Sequence, residues 1–177
     1  MMKEVLFRNR WLNVVRLNDW YICTDEVRTN NNDFVCVLPW RWTGNTGERE
    51  FLLRHEHNPA HGDPEGEQGL SCITGQCETG DVLHHAHEEL KEEGGYSIDS
   101  NCFVELGFCR PLKSSMAKIW LYEVHVTSID KQHKASGDGT MGEEGAYPVW
   151  VSREAVVSCK DPYIQTALIR LEENDKL

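Results

Sequence analysis

The sequence predicts an α+β fold of one domain, in which helices cover a mixed β-sheet. Segments with strand composition fill the first third of the chain, and a helix, further strands and a C-terminal helix follow. The 177 residues suffice for one hydrophobic core, and no internal repeat or linker divides them. We therefore expect a single domain over residues 1–177.

The strands are predicted from their composition and from the turns beside them. Each segment is short, rich in β-branched and aromatic residues, and bounded by turn-forming residues. In chain order the segments are 11–17, 20–27, 33–40, 49–55, 70–74, 102–111, 118–127 and 147–151. The polar, glycine-containing segments 56–69 and 128–145 are predicted to be loops.

Two helices are predicted from periodicity and capping. Residues 81–93 repeat apolar residues at the helical period, and the glycines that begin at Gly94 end the segment. The apolar face consists of Val82, Leu83, Ala86 and Leu90. The C-terminal helix begins after Asp161, a good N-cap residue, with Pro162 in its first position.

Charge and hydropathy exclude several classes of function. The net charge of −11 argues against a nucleic-acid duplex as partner, because phosphate backbones require a basic surface. An acidic protein can still bind a phosphorylated small molecule through a divalent metal. The first 20 residues lack an apolar leader and no apolar run is long enough for a membrane span, so we expect a cytoplasmic protein.

The predicted helix carries an unusual cluster of carboxylates. Glu89, Glu92 and Glu93 fall within about 100° of one another on an α-helix, beside the apolar face. Like charges at this spacing repel, and the helix dipole disfavours anions near the C-terminal end. Hard oxygen ligands of this kind suit Mg²⁺ or Mn²⁺. At this point a metal site and a solvated acidic face are equally supported.

Residues 75–96 resemble the signature of the Nudix hydrolases, Gly-x5-Glu-x7-Arg-Glu-U-x-Glu-Glu-x-Gly-U, where U is apolar. Gly75 matches the first glycine, and Asp81 stands where the first acid belongs. The second half is matched by Glu89, Leu90, Glu92, Glu93, Gly95 and Tyr96.

The segment departs from the signature in two ways. The stretch between Asp81 and Glu88 is one residue short, and Glu88 replaces the arginine that in the family helps to orient a neighbouring glutamate. Three consequences are open: weaker activity, altered metal affinity, or a different basic group in the arginine's place.

Looser similarity extends over most of the chain. Segments 8–20, 49–62, 107–124 and 147–168 resemble the ADP-ribose pyrophosphatase branch of the family in their apolar residues and turns. The resemblance implies a Nudix-type α/β/α sandwich and a metal-dependent hydrolase. Its substrate would be a nucleoside diphosphate linked to another moiety, such as ADP-ribose or a nucleotide sugar. It also implies a homodimer, to which strands within residues 1–48 contribute.

The resemblance assigns metal ligands by position. Glu89 and Glu93 would be the principal ligands of Mg²⁺ or Mn²⁺, with Glu92 as a third ligand or a bridge. The backbone carbonyl of Thr74 or Gly75 would complete the set, and a glycine there lets the backbone approach the metal closely.

The general base and the substrate contacts are less specific. Glu143 and Glu144 lie in a loop where this branch tends to carry its base, and Glu92 is the alternative. Candidate phosphate contacts are Arg54, Arg110 and Lys118, and His85 lies on the carboxylate face of the helix. Tryptophans 40, 42 and 120 either stack on the substrate or belong to the core.

Two other functions are weighed against hydrolysis. A Nudix-fold module with weakened catalysis that binds or senses a nucleotide would explain Glu88 and the shortened spacing. A zinc–histidine protein would explain the histidines of residues 84–87, but the His-Glu-x-x-His order of zinc proteases is lacking.

Overall fold

A computed structural model describes residues 2–18, 20–44, 46–56, 69–136 and 145–176. The strands are β1 (Lys3–Arg8), β2 (Leu12–Leu17), β3 (Tyr21–Glu26), β4 (Asp33–Trp42), β5 (Arg49–His55), β6 (Leu70–Ser71), β7 (Ile73–Gln76), β8 (Tyr96–Ser97), β9 (Phe103–Cys109), β10 (Lys118–His125), β11 (Lys131–Gln132) and β12 (Tyr147–Ser152). The helices are α1 (Val82–Glu89), a π-helix (Leu90–Gly94), a short 3₁₀ turn (Ser100–Cys102), α2 (Arg153–Ser158) and α3 (Pro162–Asn174).

The central sheet has the strand order β12-β5-β4-β10-β9, with β6 added to β5 and β7 added to β4. Strands β4 and β10 are parallel, and the other neighbours are antiparallel, so the predicted mixed sheet is confirmed. The short strands β6 and β7 lie where β4 and β5 diverge. This arrangement leads the chain from the centre of the sheet directly into α1.

Helices cover both faces of this sheet. On one face Leu121 of β10 packs in a core with Ile164 and Leu171 of α3. On the other face Ile73 of β7 packs in a second core with Leu90 of the π-helix. The predicted α/β/α sandwich is therefore confirmed. Among the described residues, no helix has both the length and the apolar character needed to cross a bilayer.

The helix after β7 differs from the prediction in its winding. Asp81 caps α1 by accepting a hydrogen bond from the His84 amide at 3.0 Å. The chain then changes to π winding at Leu90, and the Gly95 amide donates to the Leu90 carbonyl across five residues. Gly95 ends the segment with a φ of 76°, a left-handed conformation that glycine adopts at little cost.

Strands β1 to β3 form a separate antiparallel sheet, the N-terminal sheet. Its edge β3 is joined to the connection between β9 and β10, since the Thr24 amide donates to the Ser114 carbonyl at 2.8 Å. Strand β1 was not predicted, because all six of its residues are exposed and no burial alternation marks it.

Asp25 holds the N-terminal sheet together. Its carboxylate accepts from Lys3 of β1 at 2.7 Å, from Asn13 of β2 at 3.1 Å and from Asn32 at 3.0 Å. Burial raises the pKa of Asp25, but the hydrogen bonds from Lys3, Asn32 and Asn13 outweigh it, so that the pKa lies below its ordinary value.

Candidate active site

The candidate site lies in the crease between β5, β7 and the end of α1. Gly75 of β7 is paired with Val35 of β4, and the Glu89 side chain lies directly over it. A Cβ atom on Gly75 would overlap the Glu89 carboxylate. The absence of a side chain at Gly75 therefore allows the Glu89 carboxylate to approach the β7 backbone closely.

Glu93 occupies the interior of this crease. Its Oε2 accepts a hydrogen bond from the Thr74 amide at 3.0 Å, and its Oε1 forms an ion pair with the guanidinium of Arg54. Only 8% of Glu93 and 4% of Arg54 is exposed. An ionised carboxylate offers about four lone-pair sites, so these two partners leave capacity for a further ligand.

Arg54 has a different place from the one expected. The sequence suggested a phosphate contact, but the guanidinium is buried beside Glu93, with Glu56 at 3.7 Å. Arg54 is therefore a partner of the Glu93 and Glu56 carboxylates, and little of its surface is exposed to a substrate. A single arginine within the apolar strand segment "FLLRH" was the signal for a buried ion pair, since buried charges are almost always paired.

Glu88 faces away from the crease. It accepts from His87 Nδ1 at 3.1 Å and from Lys91 Nζ at 3.5 Å. Burial raises the pKa of Glu88, but His87 and Lys91 outweigh it, so the pKa lies below its ordinary value. The acid at the arginine's position is thus engaged on the outer side of the helix.

The π winding changes how the three glutamates are arranged. A π-turn takes more than four residues, so Glu93 stays nearly above Glu89, whereas Glu92 is turned further away than on an α-helix. The sequence expectation was that all three lie within about 100° of one another, and the π winding shifts Glu92 towards the edge of that range. Glu92 is half-buried, and its backbone carbonyl accepts from the Ser136 amide at 3.0 Å.

The oxygen donors of the crease fit Mg²⁺ better than a metal ion that needs protein ligands at every coordination position. Within residues 2–18, 20–44, 46–56, 69–136 and 145–176, no three His, Cys, Asp or Glu side chains converge as a metal site. Mg²⁺ usually keeps several waters and takes one or two carboxylates together with substrate phosphates. Glu89, Glu93 and the backbone at Thr74 and Gly75 offer that kind of set.

The remaining candidates lie around the crease or outside the described residues. His85 Nε2 lies 3.0 Å from the Thr79 hydroxyl, so its ring is engaged by the loop before α1. Glu143 and Glu144 are not among the described residues.

Arg110 and Lys118 line a cavity of about 590 Å³ next to the N-terminal sheet. Lys118 also forms an ion pair with Asp33 at 2.9 Å. Of the tryptophans, Trp40 belongs to the core and Trp42 is exposed. Trp120 is partly buried against the second core, and its indole nitrogen donates to Asp33 at 2.9 Å. These contacts favour a structural role for Trp120 over stacking on a ligand.

No protein-family model matches the sequence, and no curated protein matches it. Several solved structures, in contrast, are similar to the chain in fold. An ADP compounds hydrolase has a TM-score of 0.64 at 18% identity, over 99% of this chain and 92% of the other. The C-terminal domain of mouse MUTYH, in complex with human PCNA, has a TM-score of 0.53 at 11% identity, over 81% and 89%.

A third neighbour is the Nudix domain of NrtR from Shewanella oneidensis, complexed with ADP-ribose. It has a TM-score of 0.52 at 12% identity, over 83% of this chain and 90% of the other. Residues 73–95 also follow the order of a strand, a glycine-containing loop and a helix, and helices cover both faces of the sheet. These features and the similarity to solved structures identify the architecture. The chain has the Nudix fold.

Proposed function

We propose that the protein is a metal-dependent hydrolase that cleaves the diphosphate linkage of a nucleoside diphosphate joined to another moiety. ADP-ribose and nucleotide sugars are the substrate class. The observation that carries the proposal is the Glu89 carboxylate lying over the Gly75 backbone, with Glu93 one helical turn further on. The similarity of the fold to an ADP compounds hydrolase and to an ADP-ribose complex supports it.

The residues of the crease have distinct roles in this reaction. Glu89 and Glu93 hold Mg²⁺ or Mn²⁺ with the carbonyl of Thr74 or Gly75, and Glu92 is the weaker candidate for a third ligand. When bound, the metal neutralises phosphate charge and lowers the pKa of a bound water. Gly75 permits this arrangement because it has no side chain in the space that Glu89 fills.

The proton from the attacking water needs an acceptor. Glu143 or Glu144 takes this role, and Glu92 is the alternative within the helix. Arg110 and Lys118 are the substrate-binding cations, since they line one cavity and an acidic protein offers few cationic surfaces to a diphosphate. His85 orders the loop that precedes the helix through Thr79.

The first prediction is that hydrolysis requires a divalent ion. We expect the purified chain with Mg²⁺ to release a nucleoside monophosphate from at least one member of a panel. The panel contains ADP-ribose, nucleotide sugars, dinucleoside polyphosphates and NADH. Because the metal both activates water and offsets phosphate charge, EDTA should stop the reaction and added Mg²⁺ should restore it. Binding of a nucleotide without hydrolysis of any substrate would instead support the alternative, a nucleotide-sensing module.

We also propose that the protein is a homodimer joined by the N-terminal sheet. Strand β1 is exposed on both faces and carries Val5, Leu6 and Phe7, and its only strand partner among the described residues is β2. An unpaired edge of this kind is a template for another strand. Antiparallel pairing of two copies about a two-fold axis would bring Val5, Leu6 and Phe7 of both copies together at the centre of the paired strands.

The second prediction tests this interface. Leu6→Glu places two like charges at the centre of the paired strands, so the variant should run as a monomer of 20.3 kDa by light scattering. The wild-type chain should have twice that mass. The matched control is Ile169→Glu on α3, a residue with 61% exposure and no role in the interface. A monomeric wild type, or a dimeric Leu6→Glu variant, would exclude this interface.

A further inference from the structure

The helix that carries the metal-ligand candidates has an acid where the signature has an arginine, and a buried arginine of another element forms an ion pair with one of those candidates, Glu93. We propose that Arg54 of β5 replaces the missing arginine and orients Glu93 for metal binding. In this role Arg54 is a positioning residue that acts through Glu93. The inference rests on the proposed function, since it concerns the same metal site.

The backbone delivers Arg54 to this place from a fixed position. Residue 54 is paired on one side with Ser71 of β6 and on the other with Pro148 of β12. Two neighbouring strands therefore hold the Cα of Arg54, and the guanidinium extends into the crease below the π-helix. The fixed backbone therefore sets the direction from which the guanidinium approaches Glu93.

Glu93 is held at both ends of its carboxylate. Arg54 engages Oε1, and the Thr74 amide donates to Oε2 at 3.0 Å. The two contacts fix the carboxylate plane relative to β7, the strand that carries Gly75 under Glu89. Hydrogen-bonded partners behind a metal-ligating carboxylate set its orientation, and their loss weakens metal binding.

The helix itself provides no substitute for Arg54. Glu88 is turned outward to His87 and Lys91, and Lys91 lies on the exposed side of the π-helix. Without a cation in the crease, Glu93 would be a buried negative charge close to Glu89. Arg54 compensates that charge in the interior, where solvent screens little.

The third prediction is a coupling between Arg54 and Glu93 in metal binding. The affinity of the full chain for Mn²⁺ is measured without substrate, by the loss of the free Mn²⁺ resonance in electron paramagnetic resonance. Arg54→Met should weaken Mn²⁺ binding by about 10- to 100-fold, the usual effect of losing an outer partner of a ligand. In a Glu93→Gln background the same substitution should change the affinity less than about twofold, because Arg54 acts through Glu93.

Two controls separate this role from general damage to the fold. Arg153→Met removes an exposed ion pair with Glu172 on the far helices and should leave Mn²⁺ affinity unchanged. Circular dichroism at the titration temperature verifies that each variant is folded, and a variant that unfolds there is measured at a lower temperature with wild type beside it.

The outcomes distinguish the inference from the proposed function. If Arg54→Met binds Mn²⁺ as tightly as wild type, or if its effect is equally large in both backgrounds, the assignment of Arg54 is wrong while the metal site stands. If wild type binds no Mn²⁺ at all, the proposed function fails and the assignment fails with it.

Discussion

Replacing Gly75 with alanine should lower kcat by about 100-fold without unfolding the protein. The new Cβ atom would occupy the space of the Glu89 carboxylate, so that the carboxylate has to move away from the β7 backbone. A displacement of about 1 Å at a reacting centre can cost about 100-fold in rate. The measurement is steady-state hydrolysis of whichever substrate the panel identifies, at saturating Mg²⁺.

The matched control for this substitution lies in the same segment. Gly80 precedes α1, and a Cβ atom there would lie 3.2 Å from the Asn30 side-chain nitrogen, the nearest atom. Since a flexible amide can shift by a few tenths of an ångström, Gly80→Ala should keep nearly the full rate. Mn²⁺ binding should follow the same order, with Gly75→Ala weaker than Gly80→Ala. A Gly75→Ala enzyme with wild-type kcat would show that Glu89 does not act at the reacting centre.

The sequence predicted correctly the elements whose signal lies within a short segment of the chain. The helical segment that begins near Asp81, its apolar face and the Asp161 cap with Pro162 are all readable from a short window, and the structure confirms them. The strands of the central sheet are also local signals, because burial on both faces leaves continuous apolar runs such as that of β4. The order of these elements predicted a mixed sheet covered by helices, and the resemblance to the Nudix signature implied the sandwich that the structure shows.

The features that the sequence did not predict depend on distant residues or on unusual winding. A helical wheel assumes 3.6 residues per turn, so it cannot show the π-turn that separates Glu92 from Glu89. The lone arginine in the apolar segment of β5 was a signal for a buried ion pair, but no pattern in the sequence identifies Glu93 of another element as its partner. Strand β1 escaped prediction because it has no buried face.

Removing Arg54 should cause the largest loss of stability of any substitution in the crease. We expect Arg54→Met to lower the free energy of unfolding by about 3–5 kcal/mol, since the loss of one member of a buried ion pair leaves an uncompensated charge. Glu93 would be that charge, with 8% of its surface exposed. Urea denaturation followed by circular dichroism measures the difference, with equal slopes for wild type and variant as the condition for comparison.

A double variant tests whether the unpaired charge is the cause. Arg54→Met with Glu93→Gln removes both charges, and the glutamine oxygen can still accept from the Thr74 amide, so most of the lost stability should return. Arg153→Met, which breaks an ion pair whose arginine is about half exposed, should change the stability far less than Arg54→Met does, because solvent screens exposed charges. If the double variant is as unstable as Arg54→Met, the stability lost comes from packing of the arginine stem. In that case the guanidinium charge is not what holds the crease together.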